Sequence, residues 1–315
     1  MGLFTNKKKL CPICGSPTPR LFPTKIEAQP ICKECNKKID LPAGAVDSMT
    51  LSDFRQYLAD YEENQALRAV FHATYCYRNG FLSSAVLLDE DNGLIRLKDT
   101  DGSWVIEKQC LKSFRILEDD KPMYESGSGA LKCCQSDISS RVNAMEPLIA
   151  QFKYQKREYE RQEEREAQRL KGKETDEERR ERERISNLYR PRFEAPDLFQ
   201  GFHVEITFEH PYWASFEDTI KAPSFDANYP SIDEYMKSYG EKADELHILA
   251  TKLMHMIDPA AGEIQMGSGE AQASYGAAAA PVDAVAEIKR YKELLDQEMI
   301  TQEEFNAKKR QLLGI

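Results

Sequence analysis

The chain has 315 residues, of which 41% are apolar, 10% aromatic and 30% charged, and its net charge is −10. This length and apolar content allow more than one packed core, and length alone suggests about two domains. The negative charge disfavours a general nucleic-acid coat, because phosphate binding needs a positive field. Residues 1–45 differ: eight Lys or Arg against three Asp or Glu give this segment +5 and leave −15 on the rest.

No segment has the roughly 20 consecutive apolar residues that a membrane span needs, and the N-terminus has no apolar stretch long enough for a signal peptide. The myristoylation pattern also fails at its sixth residue, where Asn6 stands in place of Ser or Thr. We therefore expect a cytoplasmic protein without a lipid anchor and without a membrane partner.

Four of the eight cysteines form two pairs, Cys11-Pro-Ile-Cys14 and Cys32-Lys-Glu-Cys35, with 17 residues between the pairs. This spacing is typical of a zinc knuckle, because a tight turn directs both sulfurs of a pair at one ion. Two such pairs complete a tetrathiolate without a vacant position. We therefore expect one structural Zn²⁺ in residues 1–45. A redox dithiol needs only one pair, and disulfides are rare in a reducing compartment, so these alternatives fit less well.

Lysines surround the predicted knuckle, and they allow a second interpretation. Cationic side chains beside phosphate give salt-dependent binding, so the knuckle could contact nucleic acid. A solvated rim on a structural or protein-docking knuckle explains the same lysines equally well. The candidate nucleic-acid contacts are Lys7, Lys8, Lys9, Lys37 and Lys38.

Residues 46–258 have the pattern of an α+β body. Apolar positions recur at helical intervals between 50 and 70 and predict one amphipathic helix. Short segments rich in β-branched and aromatic residues follow between 71 and 119, separated by turn signals such as Asp91-Asn92-Gly93. Because Asn and Gly tolerate positive φ, these turns predict hairpins, and the segments together predict an antiparallel, β-rich meander.

Two further elements complete this body. The segment 201–209 alternates apolar and polar residues, which predicts a strand of the same sheet or of its partner. A capping box, Ser231-Ile-Asp-Glu234, then opens a long amphipathic helix that Asp258-Pro259 ends. A sheet with a terminal helix indicates the α+β class. A small pleckstrin-homology-like barrel closed by the helix is one topology that fits, and the spacing does not select it.

A highly charged segment, residues 153–186, interrupts the body. It contains twelve Lys or Arg and eleven Asp or Glu but almost no large aliphatic residues. Opposite charges at i,i+4 favour a helix, whereas the missing a/d seam argues against a coiled coil. We therefore predict a solvated, charged helical insertion at about residues 150–187, divided at Gly172. A charged arm for a protein or nucleic-acid partner is the alternative.

The sequence lacks the common patterns of enzymes. The histidines show no HExxH spacing, and His247 and His255, eight residues apart on the long helix, more often lie on a helix surface or in a satisfied core than in a metal site. The glycine-rich stretch 126–129 has no phosphate-loop setting, and no GxSxG occurs. We therefore expect no enzyme and no catalytic residues. The remaining cysteines are interpreted as ordinary reduced thiols: Cys76, Cys110, Cys133 and Cys134.

The end of the sequence predicts a tethered helical hairpin. Residues 259–281 combine Gly, Ala, Ser and Pro without apolar periodicity, as flexible linkers do. In residues 282–315, two amphipathic segments flank a capping box at Thr301-Gln-Glu-Glu304. Ile300 and Phe305 form the hydrophobic staple of this box, which specifies the turn between the helices.

A distinctive pattern runs through residues 283–315. Its members are Ile288, Leu294, Leu295, Ile300, Thr301, Glu303, Glu304, Phe305, Lys308, Leu312, Leu313, Gly314 and Ile315. This pattern closely resembles the SHOCT, or short C-terminal, domain of bacterial and phage proteins. The resemblance implies a domain without catalytic residues that serves self-association or docking. The four-cysteine knuckle followed by a β-rich domain also resembles an uncharacterised bacterial and phage family.

A hairpin of about 30 residues without metal or disulfide buries too little surface to offset its ordering entropy, so another surface should complete it. A second copy of the chain is the simplest candidate, and the protein's own body is the next. We therefore expect a homo-oligomer, a protein partner being also compatible, and a non-enzymatic zinc-binding adaptor or scaffold as the function. Nucleic-acid binding through the knuckle is the alternative. The expected contact residues are Ile288, Leu294, Leu295, Ile300, Phe305, Leu312 and Leu313.

Overall fold

The computed structural model describes residues 5–79 and 85–266. The predicted hairpin at 282–315 and most of the predicted tether at 259–281 lie outside the described residues. Both helices and sheets occur, so the α+β class is confirmed. The chain divides into two compact units, and the domain boundaries expected from the sequence stay predictions. Within the described residues, unit 1 comprises 5–79, 85–133, Gly201–Lys221 and Asp244–Gln265, and unit 2 comprises Cys134–Gln200, Ala222–Ala243 and Met266.

The first part of unit 1 consists of two antiparallel hairpins and a short helix. Their apolar side chains are few, and Ile26 and Ile31 are fully buried among them. Little else is available to hold this segment by burial, as the sequence indicated. The elements are β1 (Thr5–Leu10), β2 (Pro17–Pro19), β3 (Lys25–Ile26), β4 (Gln29–Pro30) and α1 (Lys33–Lys37).

Two helices follow, α2 (Leu51–Glu63) and α3 (Gln65–Val70), where the sequence predicted one continuous helix. Thr50 forms a capping box with Asp53 at the N-terminus of α2, so the first helix begins where the predicted one does. The break lies at Asn64, whose side-chain amide donates to the carbonyl of Val105 at 2.7 Å and accepts from its N–H at 3.0 Å. These two bonds join Asn64 to a strand far along the chain. They leave no trace in the local apolar periodicity, so the sequence did not predict the break.

A four-stranded antiparallel sheet comes next, in the order β5-β6-β7-β8. Its topology confirms the predicted meander up to residue 107, whereas the last predicted segment, at 113–119, lies in another sheet. Gly93 has a φ of +67° in the turn between the second and third strands, as its Asn-Gly signal predicted. The strands are β5 (Tyr75–Arg78), β6 (Ala85–Asp89), β7 (Leu94–Arg96) and β8 (Val105–Glu107).

A six-stranded sheet has the order β13-β12-β9-β10-β11-β14. The predicted strand at 201–209 is confirmed as β12, and it pairs with β9 in antiparallel register, Val204 opposite Ile116. The sequence prediction did not include β10, β11, β13 or β14, and β14 lies within the predicted tether. The strands are β9 (Leu111–Glu118), β10 (Lys121–Ser126), β11 (Ala130–Cys134), β12 (Gly201–Phe208), β13 (Ser215–Lys221) and β14 (Gly262–Met266).

The long helix predicted after Pro230 is confirmed as α7 (Ile232–Ile257), and its second half belongs to unit 1. At its start, the hydroxyl of Ser231 accepts the backbone N–H of Glu234 at 3.3 Å, which is one half of the predicted capping box. In unit 1, Leu246, Leu249 and Leu253 form a fully buried stripe at helical spacing.

Unit 2 contains three further helices, α4 (Ile138–Asn143), α5 (Glu146–Leu170) and α6 (Asp176–Tyr189). The charged segment is therefore helical, and it divides as predicted at Gly172, which has a φ of +74°. The hydroxyl of Tyr159 on α5 donates to the carbonyl of Ser186 on α6 at 2.7 Å. This contact between the helices corrects the expectation of a wholly solvated insertion.

The beginning of the insertion also packs against other residues of unit 2. Ile149 and Phe152, in the first turns of α5, are each 5% exposed and contact Phe193 in a small apolar core. The rings of Phe152 and Phe193 lie 5.5 Å apart in an edge-to-face arrangement. The insertion is thus anchored by apolar side chains that precede its charged run, whereas no residue of α6 is buried.

Candidate metal centre

The two cysteine pairs are held by different local structures. Cys11 and Cys14 lie in the turn of the β1–β2 hairpin, where Gly15, at φ +72°, donates its N–H to the carbonyl of Cys11 at 2.9 Å. Cys32 is the N-cap of α1, and its sulfur accepts the N–H of Cys35 at 3.4 Å. Each CxxC spacing therefore closes one tight turn that presents two sulfurs on the same side.

The four sulfurs of Cys11, Cys14, Cys32 and Cys35 all lie within 4.8 Å of one another. Three separations are 3.4 Å for Cys14–Cys32, 3.6 Å for Cys14–Cys35 and 3.9 Å for Cys11–Cys35. A tetrahedron with Zn–S bonds of about 2.3 Å has edges of roughly 3.8 Å. The arrangement therefore matches a tetrathiolate centre, and none of these four described cysteines forms a disulfide.

Burial and charge at this centre favour a bound cation. Cys11, Cys32 and Cys35 are buried, whereas Cys14 is exposed. Burial raises the pKa of both Cys32 and Cys35, while hydrogen bonds with Ser16 lower the pKa of Cys14 to about 6. A metal ion would offset the cost of burying several thiolates together, because its positive charge favours the deprotonated sulfurs.

The centre is fastened to the rest of unit 1 through polar contacts. The hydroxyl of Tyr57 on α2, a fully buried side chain, donates to the carbonyl of Lys38 at 2.6 Å and accepts the N–H of Asp40 at 2.8 Å. Arg55, on the same helix, donates to the carbonyl of Pro12 between the first two cysteines at 3.0 Å. The sequence predicted the four ligands, and it gave no signal for these attachments because they join residues far apart in the chain.

Comparison with protein families identifies a domain at the end of the chain. Residues 286–313 match the short C-terminal domain, SHOCT. This confirms the C-terminal domain expected from the sequence, and the match includes every residue named above as an expected docking contact. No curated protein and no solved structure matches the chain. The family expected for the N-terminal half stays a prediction. Among the described helices, none combines the length and the apolar character needed to cross a membrane.

The lysines near the metal centre differ in their surroundings. Lys9 is exposed at the end of β1, and the backbones of Lys7 and Lys8 belong to the same strand. Lys37 forms an ion pair with Glu34 at 3.0 Å, and Lys38 forms one with Glu62. Two of the five candidate nucleic-acid contacts therefore have carboxylate partners, which reduces the positive field available to a phosphate.

A groove of about 510 Å³ lies between α5 and α6 in unit 2. The guanidinium of Arg182 lies in it and bonds both oxygens of Glu174, at 3.0 Å and 3.1 Å. Glu174 lies in the turn between α5 and α6, so this bidentate bond joins the turn to α6. Four of the nine lining residues are glutamates, and the lining consists of Tyr159, Glu163, Glu166, Glu178, Glu181, Arg182, Ile185, Ser186 and Tyr189.

Proposed function

We propose that this protein is a non-enzymatic adaptor or scaffold, stabilised by one Zn²⁺ at the four cysteines and assembled through its SHOCT domain. The observation that carries the proposal is the pairing of these two parts in one chain. Four clustered sulfurs fit a closed metal centre, and the SHOCT match covers residues 286–313. A closed tetrathiolate offers no position for water or substrate, so its role is structural.

Zinc is the metal that best suits four thiolates at this spacing. It is borderline-soft, prefers sulfur and nitrogen donors and accepts tetrahedral geometry without a redox change. The segment around it buries few apolar side chains, so metal binding would supply most of the local folding energy. In this proposal the metal holds the two cysteine turns together. Arg55 joins α2 to the first of these turns, and Tyr57 joins α2 to the residues that follow α1.

Self-association is the simplest role for the SHOCT domain in this chain. Its apolar residues recur on one face of each predicted helix, and a hairpin of about 30 residues cannot bury them by itself. A second copy of the domain offers the same apolar face in return, as two-fold symmetric interfaces do. The helical hairpin at 282–315 and a pleckstrin-homology-like topology for the body remain parts of the proposal.

Light scattering at matched concentrations tests this role. The particle mass divided by the mass of one chain gives the number of chains per particle. This number should be larger for the full chain than for a chain ending at Pro281, which keeps every described residue. A full-length variant with Leu294→Ser and Leu295→Ser should lose the excess mass. The matched control, Lys289→Ser with Lys292→Ser in the same segment, should keep it. The same number of chains per particle in the full and shortened proteins would overturn the proposal.

The alternative function is nucleic-acid binding through the knuckle. Its support is the +5 balance of residues 1–45 and the exposure of Lys9. It is the weaker proposal, because Lys37 and Lys38 already have carboxylate partners. The two functions differ in their response to salt, since phosphate contacts lose affinity steeply as salt rises.

A further inference from the structure

Unit 1 contains a second group of metal-binding side chains, separate in composition from the four cysteines. Cys133 lies on β11, His247 on α7 and Glu263 on β14. One ligand atom from each lies within 4.8 Å of the other two. Nε2 of His247 lies 2.9 Å from Oε1 of Glu263. Three elements of unit 1 thus bring a sulfur, a nitrogen and an oxygen donor to one point.

We propose that Cys133, His247 and Glu263 bind a second divalent metal ion of the zinc class. Thiolate, imidazole and carboxylate are the protein donors that Zn²⁺ uses. Bonds of about 2.0–2.3 Å in a tetrahedron place the donor atoms roughly 3.3–3.8 Å apart. The 2.9 Å between His247 and Glu263 is slightly shorter than this range, and neither donor lies more than 4.8 Å from the sulfur of Cys133, so shifts of roughly 1 Å or less suffice. His247 would exchange its hydrogen-bond role for a metal bond.

Contacts around the three donors restrict their orientation. The ring of Tyr124, on β10, lies 5.2 Å from the ring of His247, centroid to centroid, at an angle of 36°. The hydroxyl of Thr251, one turn further along α7, lies 3.4 Å from the same oxygen of Glu263 that contacts His247. Groups that orient the ligands of a metal commonly surround natural metal sites.

Exposure defines the kind of site. Cys133 is 4% exposed, whereas the side chains of His247 and Glu263 are 39% and 41% exposed. The sulfur therefore lies at the inner side, and the other two donors lie towards solvent. Three protein ligands leave a fourth position for water, so this ion would exchange more readily than one held by four buried sulfurs.

The second ion would fix the edge strand β14. All five residues of β14 are exposed, and its contact with the sheet is through β11. An edge strand held by backbone hydrogen bonds without buried side chains opens easily. A metal bound by Glu263, Cys133 and His247 would join β14 to β11 and α7 at once, and so slow this opening.

Zinc stoichiometry tests the site. The full-length protein is stripped of metal under reducing conditions and titrated with Zn²⁺ against a chromophoric chelator. Wild type should bind one more equivalent per chain than His247→Ala, Glu263→Gln or Cys133→Ala. His247 and Glu263 are partly exposed, so two of these variants do not rely on a buried position. The controls His255→Ala, on the same helix, and Cys134→Ala, on the same strand, should match wild type.

Equal stoichiometry for wild type and all three variants would overturn the second site and would reduce the His247–Glu263 contact to a plain hydrogen bond. The difference in equivalents does not depend on whether the four cysteines are loaded, so it is independent of the function proposed above. Hydrogen exchange gives a second measure. Zn²⁺ should slow exchange of the amides of Gly262–Met266 in wild type and not in His247→Ala, and an equal effect in both proteins would contradict the proposal.

Discussion

The carboxylate of Asp40 accepts a hydrogen bond from the backbone N–H of Trp104 at 2.6 Å, and so links the end of the four-cysteine segment to the meander sheet. The same carboxylate accepts a bond from Lys98 at 2.6 Å, while the carbonyl of Asp40 accepts the indole N–H of Trp213 at 3.2 Å. Asp40 is buried. One residue therefore connects the four-cysteine segment to two parts of unit 1.

Replacing this carboxylate should destabilise unit 1 as a whole. In Asp40→Ala, the N–H of Trp104 and the ammonium of Lys98 lose a charged partner, and the first of these groups is buried. We expect a loss of about 3 kcal/mol in the free energy of unfolding, measured by urea denaturation. The control is Asp47→Ala, whose side chain is exposed and should change stability by less than about 0.5 kcal/mol. A loss confined to that small range in Asp40→Ala would contradict the linking role.

Removal of the metal should lower the stability of unit 1 at the contacts of Asp40. The chain has two tryptophans, Trp104 and Trp213, and both bond Asp40. Intrinsic fluorescence thus reports on the junction between the cysteine segment and the sheets. A chelator, or Cys11→Ser with Cys32→Ser, should lower the unfolding midpoint followed by this signal. Cys76→Ser alters an exposed cysteine outside the centre and should leave the midpoint unchanged. A midpoint unaffected by chelation would show that the metal does not support the fold.

The stability of unit 1 should also fall in mild acid because of His210. Burial lowers the pKa of His210, against the opposing charge of Asp60. Its Nδ1 accepts the backbone N–H groups of Tyr212 and Trp213, both at 3.2 Å, and protonation of this nitrogen would remove both bonds. Above about pH 6.5 the ring is neutral in the folded and unfolded chains, so it adds no pH dependence there. As the pH falls below that value the unfolded chain takes up the proton more readily, and stability is lost.

The variant His210→Gln isolates this effect. Its free energy of unfolding should be lower than that of wild type at pH 7.5, where two backbone N–H groups lose their acceptor, and the difference should shrink at pH 5.5. His255→Gln, at an exposed position, is the control for the substitution itself and should change the free energy of unfolding at pH 7.5 by less than about 0.5 kcal/mol. Urea denaturation at the two pH values provides the comparison. A difference between wild type and His210→Gln that stays constant with pH would remove His210 as the titrating group.

Neutralising the basic residues should separate the two proposed functions. A full-length variant carries Gln at Lys7, Lys8, Lys9, Lys37 and Lys38. The adaptor function predicts an unchanged oligomeric mass and no steep salt-dependent binding of wild type to a mixed-sequence oligonucleotide. The control changes five exposed Lys or Arg of α5 and the turn after it to Gln, namely Lys153, Arg165, Arg169, Lys171 and Lys173. Wild-type binding that falls steeply with salt and is lost only in the knuckle variant would favour the nucleic-acid alternative.

Local patterns in the sequence were enough to predict much of this structure. The CxxC spacing predicts the cluster of four sulfurs, strict alternation predicts β12, and Gly172 predicts the division between α5 and α6. Each of these features is encoded within a few residues, because a turn, a strand face or a helix end depends on its immediate neighbours.

Features that depend on contacts between distant residues could not be predicted from the sequence. The break at Asn64 follows from its bonds to Val105, and the contacts of Asp40 reach residues more than sixty positions away. β14 escaped because its five residues lie in a Gly- and Ala-rich stretch and bury no side chain. Cys133, His247 and Glu263 meet only through the pairing of β11 with β14 and the packing of unit 1. From the sequence alone, Cys133 is therefore an ordinary thiol and His247 a surface or core histidine.

Native mass spectrometry of the intact protein counts chains and metal ions in the same complex, and so tests the zinc-stabilised, self-associating scaffold in one experiment. We expect assemblies of more than one chain that carry at least one Zn²⁺ per chain, and monomers when Leu294 and Leu295 are both replaced by Ser. A wild-type protein that is monomeric at every concentration, or that carries no zinc, would contradict this proposal.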